Sequence, residues 1–328
     1  MTPNHISTMN ELQLSSIYPL IDTHTHFDAP VFDNDRDVQV YNAYDQGVRH
    51  LVLVGYLYKH FERMYDTERS IKHFPQSSTT ETDGQSEPHI NVHVALGLHP
   101  FYIEKHTDNH LRDMANKLAE QRPLAIGEIG LDTFTAAMKA PDVVAKQERF
   151  FKAQLDMAVA HQLPVMLHIR KAHAEVLAIL KAHEYDAHKL GGIAHSFSGG
   201  VQEAKAFVKL GFKLGVTGQV TNPNAKKLRL AIQAAVNEYG IECLVIETDC
   251  PDMTPIMCQT KEDDLSVLGQ DSDYKYDDAP IHDRNVPANL PWVLLSLSEL
   301  LGVPPAVLAE QLWHNSCAAL QTSWTYPE

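Results

Sequence analysis

The feature that most constrains this chain is a recurrence. Eight short, almost unbroken runs of apolar and β-branched residues are spaced along its 328 residues, with stretches of helical periodicity between them. They are YPLIDT (18–23), HLVLVG (50–55), INVHVALG (90–97), PLAIGEIG (123–130), LPVMLHI (163–169), GGIAHSF (191–197), GFKLGVTG (211–218) and ECLVIETD (242–249). Runs without polar alternation belong to strands covered on both faces, the condition of a parallel sheet. Between the fourth and fifth runs, residues 144–162 place Phe151, Leu155, Ala158 and Val159 on one helical face, and residues 201–210 and 225–239 repeat the pattern. Strand then helix, eight times over, predicts an α/β fold of the (β/α)8 TIM-barrel type. A doubly wound sheet is the competing reading. It requires a glycine-rich phosphate turn after its first strand, and IDTHTHFDAP (21–30) contains no glycine.

The expected organisation is therefore a single barrel domain over 1–328, its core spanning about 20–320. Two segments stand outside the repeat. QSSTTETDGQSEP (76–88) is polar and punctuated by Gly and Pro, and is expected to be a solvated insertion before the third strand. Residues 261–285 carry eight acidic and three basic side chains, forming an acidic loop after the eighth strand, where a barrel places its mouth.

Composition narrows the function. Lys and Arg number 27 against 42 Asp and Glu, a net charge of −15 that opposes any broad coating of a nucleic-acid backbone while leaving room for a local cationic centre. The four cysteines, Cys243, Cys250, Cys258 and Cys317, form no CxxC pair, which favours a reducing compartment over a disulfide framework. MTPNHISTMNELQLSSIYPL (1–20) has neither a basic nor an apolar leader region, and no apolar run approaches the ~18 residues of a membrane span. A cytoplasmic protein with no membrane partner and no legible obligate protein partner is expected.

The nineteen histidines carry more information through where they fall. His24 and His26 follow the first strand at i and i+2, so in extended chain their rings point to the same side. Glu128 lies near the C-terminal end of the fourth run, His168 of the fifth and His195 of the sixth, and Asp249 ends the eighth. The C-terminal ends of barrel strands ring a single pocket, so these six groups are predicted to converge. Satisfying six buried polar groups by unrelated hydrogen bonds is the bland alternative; a pair of divalent cations satisfies all of them at once. Two cations about 3.5–4 Å apart require an anionic bridge, which a two-oxygen carboxylate supplies. Four imidazoles and two carboxylates suit zinc, manganese, iron or nickel better than magnesium.

These motifs, IDTHTHFD (21–28), ALGLHP (95–100), AIGEIGLD (125–132), LPVMLHIRKAH (163–173), HSFSGG (195–200) and IETDCPDM (246–253), together resemble the TatD family of metal-dependent hydrolases, in order and over about residues 20–320. PANLPWV (287–293) is similar to the family segment after the last metal aspartate, although Val286 stands where the family often has Glu. The resemblance implies a dinuclear site holding zinc, manganese or magnesium. His24, His26 and Asp249 would bind one ion, Glu128 would bridge, and His168 and His195 would bind the second. It implies a deoxyribonuclease, exonuclease-like, acting on DNA or a small phosphodiester.

Within that frame Asp249 and Glu128 are the expected catalytic groups, because an Asp engaged through one oxygen keeps the other free to take a proton. His99, Arg170 and His173, placed after the third and fifth runs, are expected to contact substrate, Arg170 being suited to a phosphate. Asp22 is expected either to orient an imidazole or to cap the strand end. Glu247 is expected to point into the barrel as structure, the role of Asp132 is left open, and Cys250 is expected to be packing. No cofactor beyond the metals is expected. Two other functions fit the same residues: hydrolysis of a cyclic amide, lactone or aminoacyl ester, and a metal-binding interaction module without catalysis.

Overall fold

The structure is a computed structural model that describes residues 17–72, 89–259 and 283–327. The polar segment 76–88 and residues 261–282 of the acidic segment lie outside the described residues. Eight strands form one parallel sheet in sequential order: β1 (Leu20–Thr25), β2 (Val48–Val54), β3 (Asn91–Leu96), β4 (Ala125–Asp132), β5 (Val165–Arg170), β6 (Ile193–Ala194), β7 (Lys213–Val216) and β8 (Leu244–Ile246). The seam between β8 and β1 is closed by backbone bonds just past the strands, Asp249 N–H to His24 O at 2.9 Å and His26 N–H to Cys250 O at 2.8 Å. Asp22 adds to it by accepting the Thr248 N–H at 2.9 Å. The result is a (β/α)8 barrel.

The connecting helices are α1 (Arg36–Asp45), α2 (Phe61–Lys72), α3 (Asp108–Glu120), α4 (Pro141–His161), α5 (His173–Ala182), α6 (Ala187–Leu190), α7 (Val201–Lys209) and α8 (Lys226–Tyr239). Two more, α9 (Leu290–Leu301) and α10 (Pro305–Leu320), complete the ring. The period of two along a strand divides the core into two layers. Leu51, Leu53, Val92, Leu96 and Leu167 face outward onto helix residues such as Met64, Phe151 and Leu155. Val52, Val54, Ala95, Ala125, Met166, Ile193 and Val245 fill the barrel, which Ala319 and Leu320 of α10 plug from below.

Helix α4 shows how packing positions the mouth. Phe151, Leu155 and Ala158 are buried as its periodicity predicts, but so are Gln147 and Gln154. Gln147 accepts the Asp132 N–H at 2.8 Å and donates to Asp132 O at 2.9 Å. Gln154 accepts the Leu98 N–H at 2.7 Å. Each amide serves backbone groups beyond the reach of the strand ladder, where an unpaired buried donor would cost about 1–3 kcal/mol. Gly97 allows the same tight closure between β3 and β4: a Cβ there would lie 2.3 Å from Gly127 C and 2.4 Å from Glu128 N. Among the described residues, no single helix is long and apolar enough to cross a membrane.

Candidate metal centre

The strand ends differ from expectation in a way that bears on the site. β1 runs two residues later than the 18–23 reading, so His24 lies within it and His26 follows it. β6 and β8 are shorter than their apolar runs, leaving His195 one residue beyond β6 and Asp249 three beyond β8. Glu128 and His168 lie inside their strands. Past the ladders the backbone is free to turn: Ser196 takes φ 42° and Asp249 φ 54°. That left-handed region costs a non-glycine residue of the order of 1 kcal/mol and turns the Asp249 side chain toward the mouth.

Six side chains meet around Glu128, which is buried. Its Oε2 faces His24 Nε2 at 3.3 Å and His26 Nε2 at 3.6 Å. Its Oε1 faces His168 Nδ1 at 2.6 Å, His99 Nε2 at 3.3 Å and His195 Nε2 at 3.5 Å. Asp249 closes the ring, its Oδ1 3.7 Å from His24 Nε2 and its Oδ2 3.6 Å from His195 Nε2. Three sets of donor atoms each fall within 4.8 Å of one another: His24, His26 and Glu128; His24, His195 and Asp249; and His99, Glu128 and His168.

The residues suit a cation. Among the described residues both ring nitrogens of fully buried His24 lack a hydrogen-bond partner of good geometry, and its ring stacks on His195 with centroids 3.5 Å apart. Burial, reinforced by the neighbouring His195 charge, lowers the His24 pKa to about 3, so the ring stays an unprotonated donor. A buried imidazole with two idle nitrogens, against a carboxylate whose two oxygens face separate histidine groups, is a donor set that cations would complete.

The surrounding carboxylates set ring orientation and charge. His168 Nε2 donates toward Asp132 Oδ2 at 3.0 Å. Burial alone would lower the His168 pKa, but Glu128 and Asp132 outweigh it and raise it to about 9. His195 Nδ1 lies 3.0 Å from Glu247 Oε1, off the ideal hydrogen-bond direction. Burial again opposes the charged ring, yet Asp249, Glu247 and Glu128 bring His195 to about 10. For Glu128, burial pushes the carboxyl up, and the surrounding imidazoles prevail and hold it well below the usual carboxylate range. Asp249 is pushed up to about 7, chiefly by burial.

Glu247 is therefore more than barrel filling. It also accepts the Ser196 N–H at 2.6 Å and the Thr23 hydroxyl at 3.2 Å. Gly215 leaves room for it, since a Cβ there would lie 2.3 Å from Glu247 Oε1. Asp22 orients no imidazole; its carboxylate binds the Thr248 N–H and hydroxyl and the His24 backbone N–H. Cys250 is buried with its Sγ 2.8 Å from Thr25 Oγ1, and burial pushes its thiol well above the ordinary value, as packing requires. All four cysteines are free.

A cavity of about 420 Å³ opens over the cluster, lined by His99, Glu128, His168, His195 and Asp249, with Arg170 and Gln219 on its wall. His99 lines the cavity, as a substrate contact requires, and also stands within reach of the donors Glu128 and His168. His173 is not among the lining residues: its ring packs edge-on against Phe197 and Phe207, at 5.8 and 6.4 Å, so a substrate contact is not what its position supports.

The family model described as TatD related DNase matches residues 21–321. The chain belongs to the TatD family of metal-dependent hydrolases. Relatives in this family include an uncharacterised metal-dependent hydrolase, YjjV of Escherichia coli K12, 34% identical over 236 residues, 71% of this chain and 80% of that protein. Another is a 3′-5′ ssDNA/RNA exonuclease, TatD of Citrobacter rodentium, 30% identical over 279 residues, 85% of this chain and 89% of that protein. The crystal structure of the TatD homologue YjjV from Escherichia coli K12 superposes with a TM-score of 0.72 at 29% identity, covering 93% of this chain and 98% of that one.

Within this TatD-family barrel, the holding carboxylates Asp132 and Glu247 are the groups least legible from sequence. Their one local signal is position: each lies at or just past the C-terminal end of its strand, where a buried carboxylate needs a partner. Asp252 and Gln219, also on the cavity wall, follow β8 and β7 without a comparable signal.

Proposed function

We propose that this TatD-family hydrolase cleaves phosphodiester bonds in DNA, as a deoxyribonuclease working from a strand end, with two divalent cations of zinc, manganese or magnesium type. The observation that carries the reading is the Glu128 carboxylate, whose two oxygens face different histidine groups, His24 and His26 on one side, His168, His99 and His195 on the other. Asp249 completes the set. When bound, such a pair supplies Lewis acidity that acidifies water and offsets charge building on a phosphoryl group.

The protein's own groups divide the remaining work. Asp249 lines the cavity and keeps a carboxylate oxygen available to accept a proton from the attacking water. Arg170 lines the same wall, and its guanidinium makes no hydrogen bond among the described residues, leaving its donors for a phosphate. Asp132 and Glu247 hold His168 and His195 in register, so neither ring has to reorient as charge develops. The exonuclease named among the relatives supports DNA over an acyl substrate.

Elemental analysis of the purified protein, beside turnover of single-stranded DNA, bis-p-nitrophenyl phosphate and ester and amide substrates, tests the proposal. Two cations per chain and cleavage of the phosphodiesters alone are expected. Turnover restricted to acyl compounds, or metal loading with no turnover, would refute it. Glu128→Ala is expected to abolish activity and reduce bound metal together; an active variant with full metal content would contradict the bridging role.

A further inference from the structure

Phe134 is a large apolar side chain left exposed next to Arg170 on the cavity wall. It lies two residues beyond Asp132 at the end of β4 and is 48% exposed. Neither its backbone nor its surroundings are loose. The Phe134 N–H donates to Asp132 Oδ1 at 2.9 Å, on the carboxylate whose other oxygen holds His168. The Thr133 N–H donates to Arg170 O at 2.9 Å and its hydroxyl to Lys171 O at 2.9 Å, tying this turn to the end of β5. On one side of the Phe134 ring lies the Arg170 guanidinium, its Cζ 3.7 Å from the ring centroid. Arg170 in turn lines the cavity over the metal centre.

An aromatic ring held in a fixed turn, about half exposed and stacked against a cation that lines the cavity, presents a flat surface for a second flat group. The area of one ring and one guanidinium is far below the ~1,200 Å² of a specific protein interface, so a partner protein is a poor occupant. A nucleobase fits. The charge balance points the same way: a chain with 27 basic and 42 acidic residues cannot hold a polyanion by general attraction and needs contacts that do not depend on charge.

We propose that Phe134 and Arg170 form a stacking subsite for the nucleobase adjacent to the scissile phosphate, with the edge of the guanidinium left to that phosphate. The subsite rests on the nuclease reading above. It makes the ring a specificity determinant: the base is recognised by its face, so every base is accepted, and a strand whose bases are splayed apart is favoured over a stacked duplex.

The test compares kcat/KM of the wild-type protein, Phe134→Ala and Phe134→Trp on two single-stranded oligonucleotides, one normal and one with abasic residues at its cleaved end. Phe134→Ala is expected to lose about 5- to 150-fold on the normal strand, the range for one base–aromatic stack, and to change less than about 2-fold on the abasic strand. Phe134→Trp is expected to retain the wild-type preference for the normal strand. Equal losses by Phe134→Ala on both strands would show that the ring only props Arg170, and no loss on either would show no role; both overturn the subsite while leaving the nuclease reading intact. Failure of the wild-type protein to cleave either strand would refute the nuclease reading and the subsite with it. Melting temperature and metal content of each variant separate these results from misfolding.

Discussion

A buried imidazole is best aimed at a cation when something holds its other nitrogen, and in this barrel carboxylates lie against that nitrogen of His168 and His195. Asp132 reaches its ring from the end of the same strand as Glu128, and Glu247 reaches across from beyond β8. Glu247→Gln keeps the volume that Gly215 makes room for while removing the charge. It is expected to weaken metal binding about 10- to 100-fold, measured by calorimetric titration of the metal-stripped protein. An unchanged affinity would reduce Glu247 to a link between Thr23 and the Ser196 backbone. The sequence reading placed His99 among substrate contacts and left Asp132 without a role. Chain order shows which residues share a strand end, and does not show which ring across the mouth a carboxylate faces.

Among the elements, the eight strands followed from the recurrence of apolar runs, while their boundaries and the number of α-helices, ten among the described residues, did not. Apolar runs at 191–197 and 242–249 shrink to the two residues of β6 and the three of β8; past them the backbone keeps single bonds to the neighbouring strands, His195 N–H to Leu167 O and Asp249 N–H to His24 O, while Ser196 and Asp249 turn out of the extended conformation. The buried glutamines of α4 were likewise hidden, since amides on an apolar face carry no periodic signal.

At the opposite end of the barrel, near the starts of β2 and β3, His50 and His93 lie 3.0 Å apart between ring nitrogens. Both stack on Trp324 of the C-terminal tail, at 4.1 and 4.4 Å. Burial lowers their pKa values to about 4 and about 3. Between about pH 6.5 and 4 the unfolded chain therefore binds protons that the folded one refuses, and stability declines as the pH falls through that window. The slope is at most about 1.4 kcal/mol per pH unit for each ring. A His50→Gln/His93→Gln variant is expected to show a flatter melting temperature against pH over this window; an identical slope would place the acid sensitivity elsewhere.

For the molecule as a whole, the groups that could hold cations come from β1, β4 and β5 and from the segments beyond β1, β3, β6 and β8, so on the proposed reading cation binding and barrel closure are linked. Ions present at 100 times their dissociation constant would add about 2.7 kcal/mol to stability. Chelation is accordingly expected to lower the melting temperature by roughly 4 °C for each ion lost in a chain of this size, reversed by adding manganese or zinc. A melting temperature indifferent to chelator would mean that the imidazoles are satisfied without an ion.

The barrel was legible in the linear chain because its signal is local: each buried strand must be apolar along its length and each covering helix must repeat at 3.6 residues, whatever lies opposite. The convergence of His24, His26, Glu128, His168, His195 and Asp249 was legible for a related reason, since the topology of such a barrel brings every strand's C-terminal end to one rim. Three-dimensional packing alone assigned the finer parts: the place of His99 among the donors, the withdrawal of His173 behind Phe197, the carboxylates that aim each ring, and Phe134 beneath Arg170. Those relations depend on distances across the mouth, between residues that share no strand or helix and leave no periodic trace in the chain.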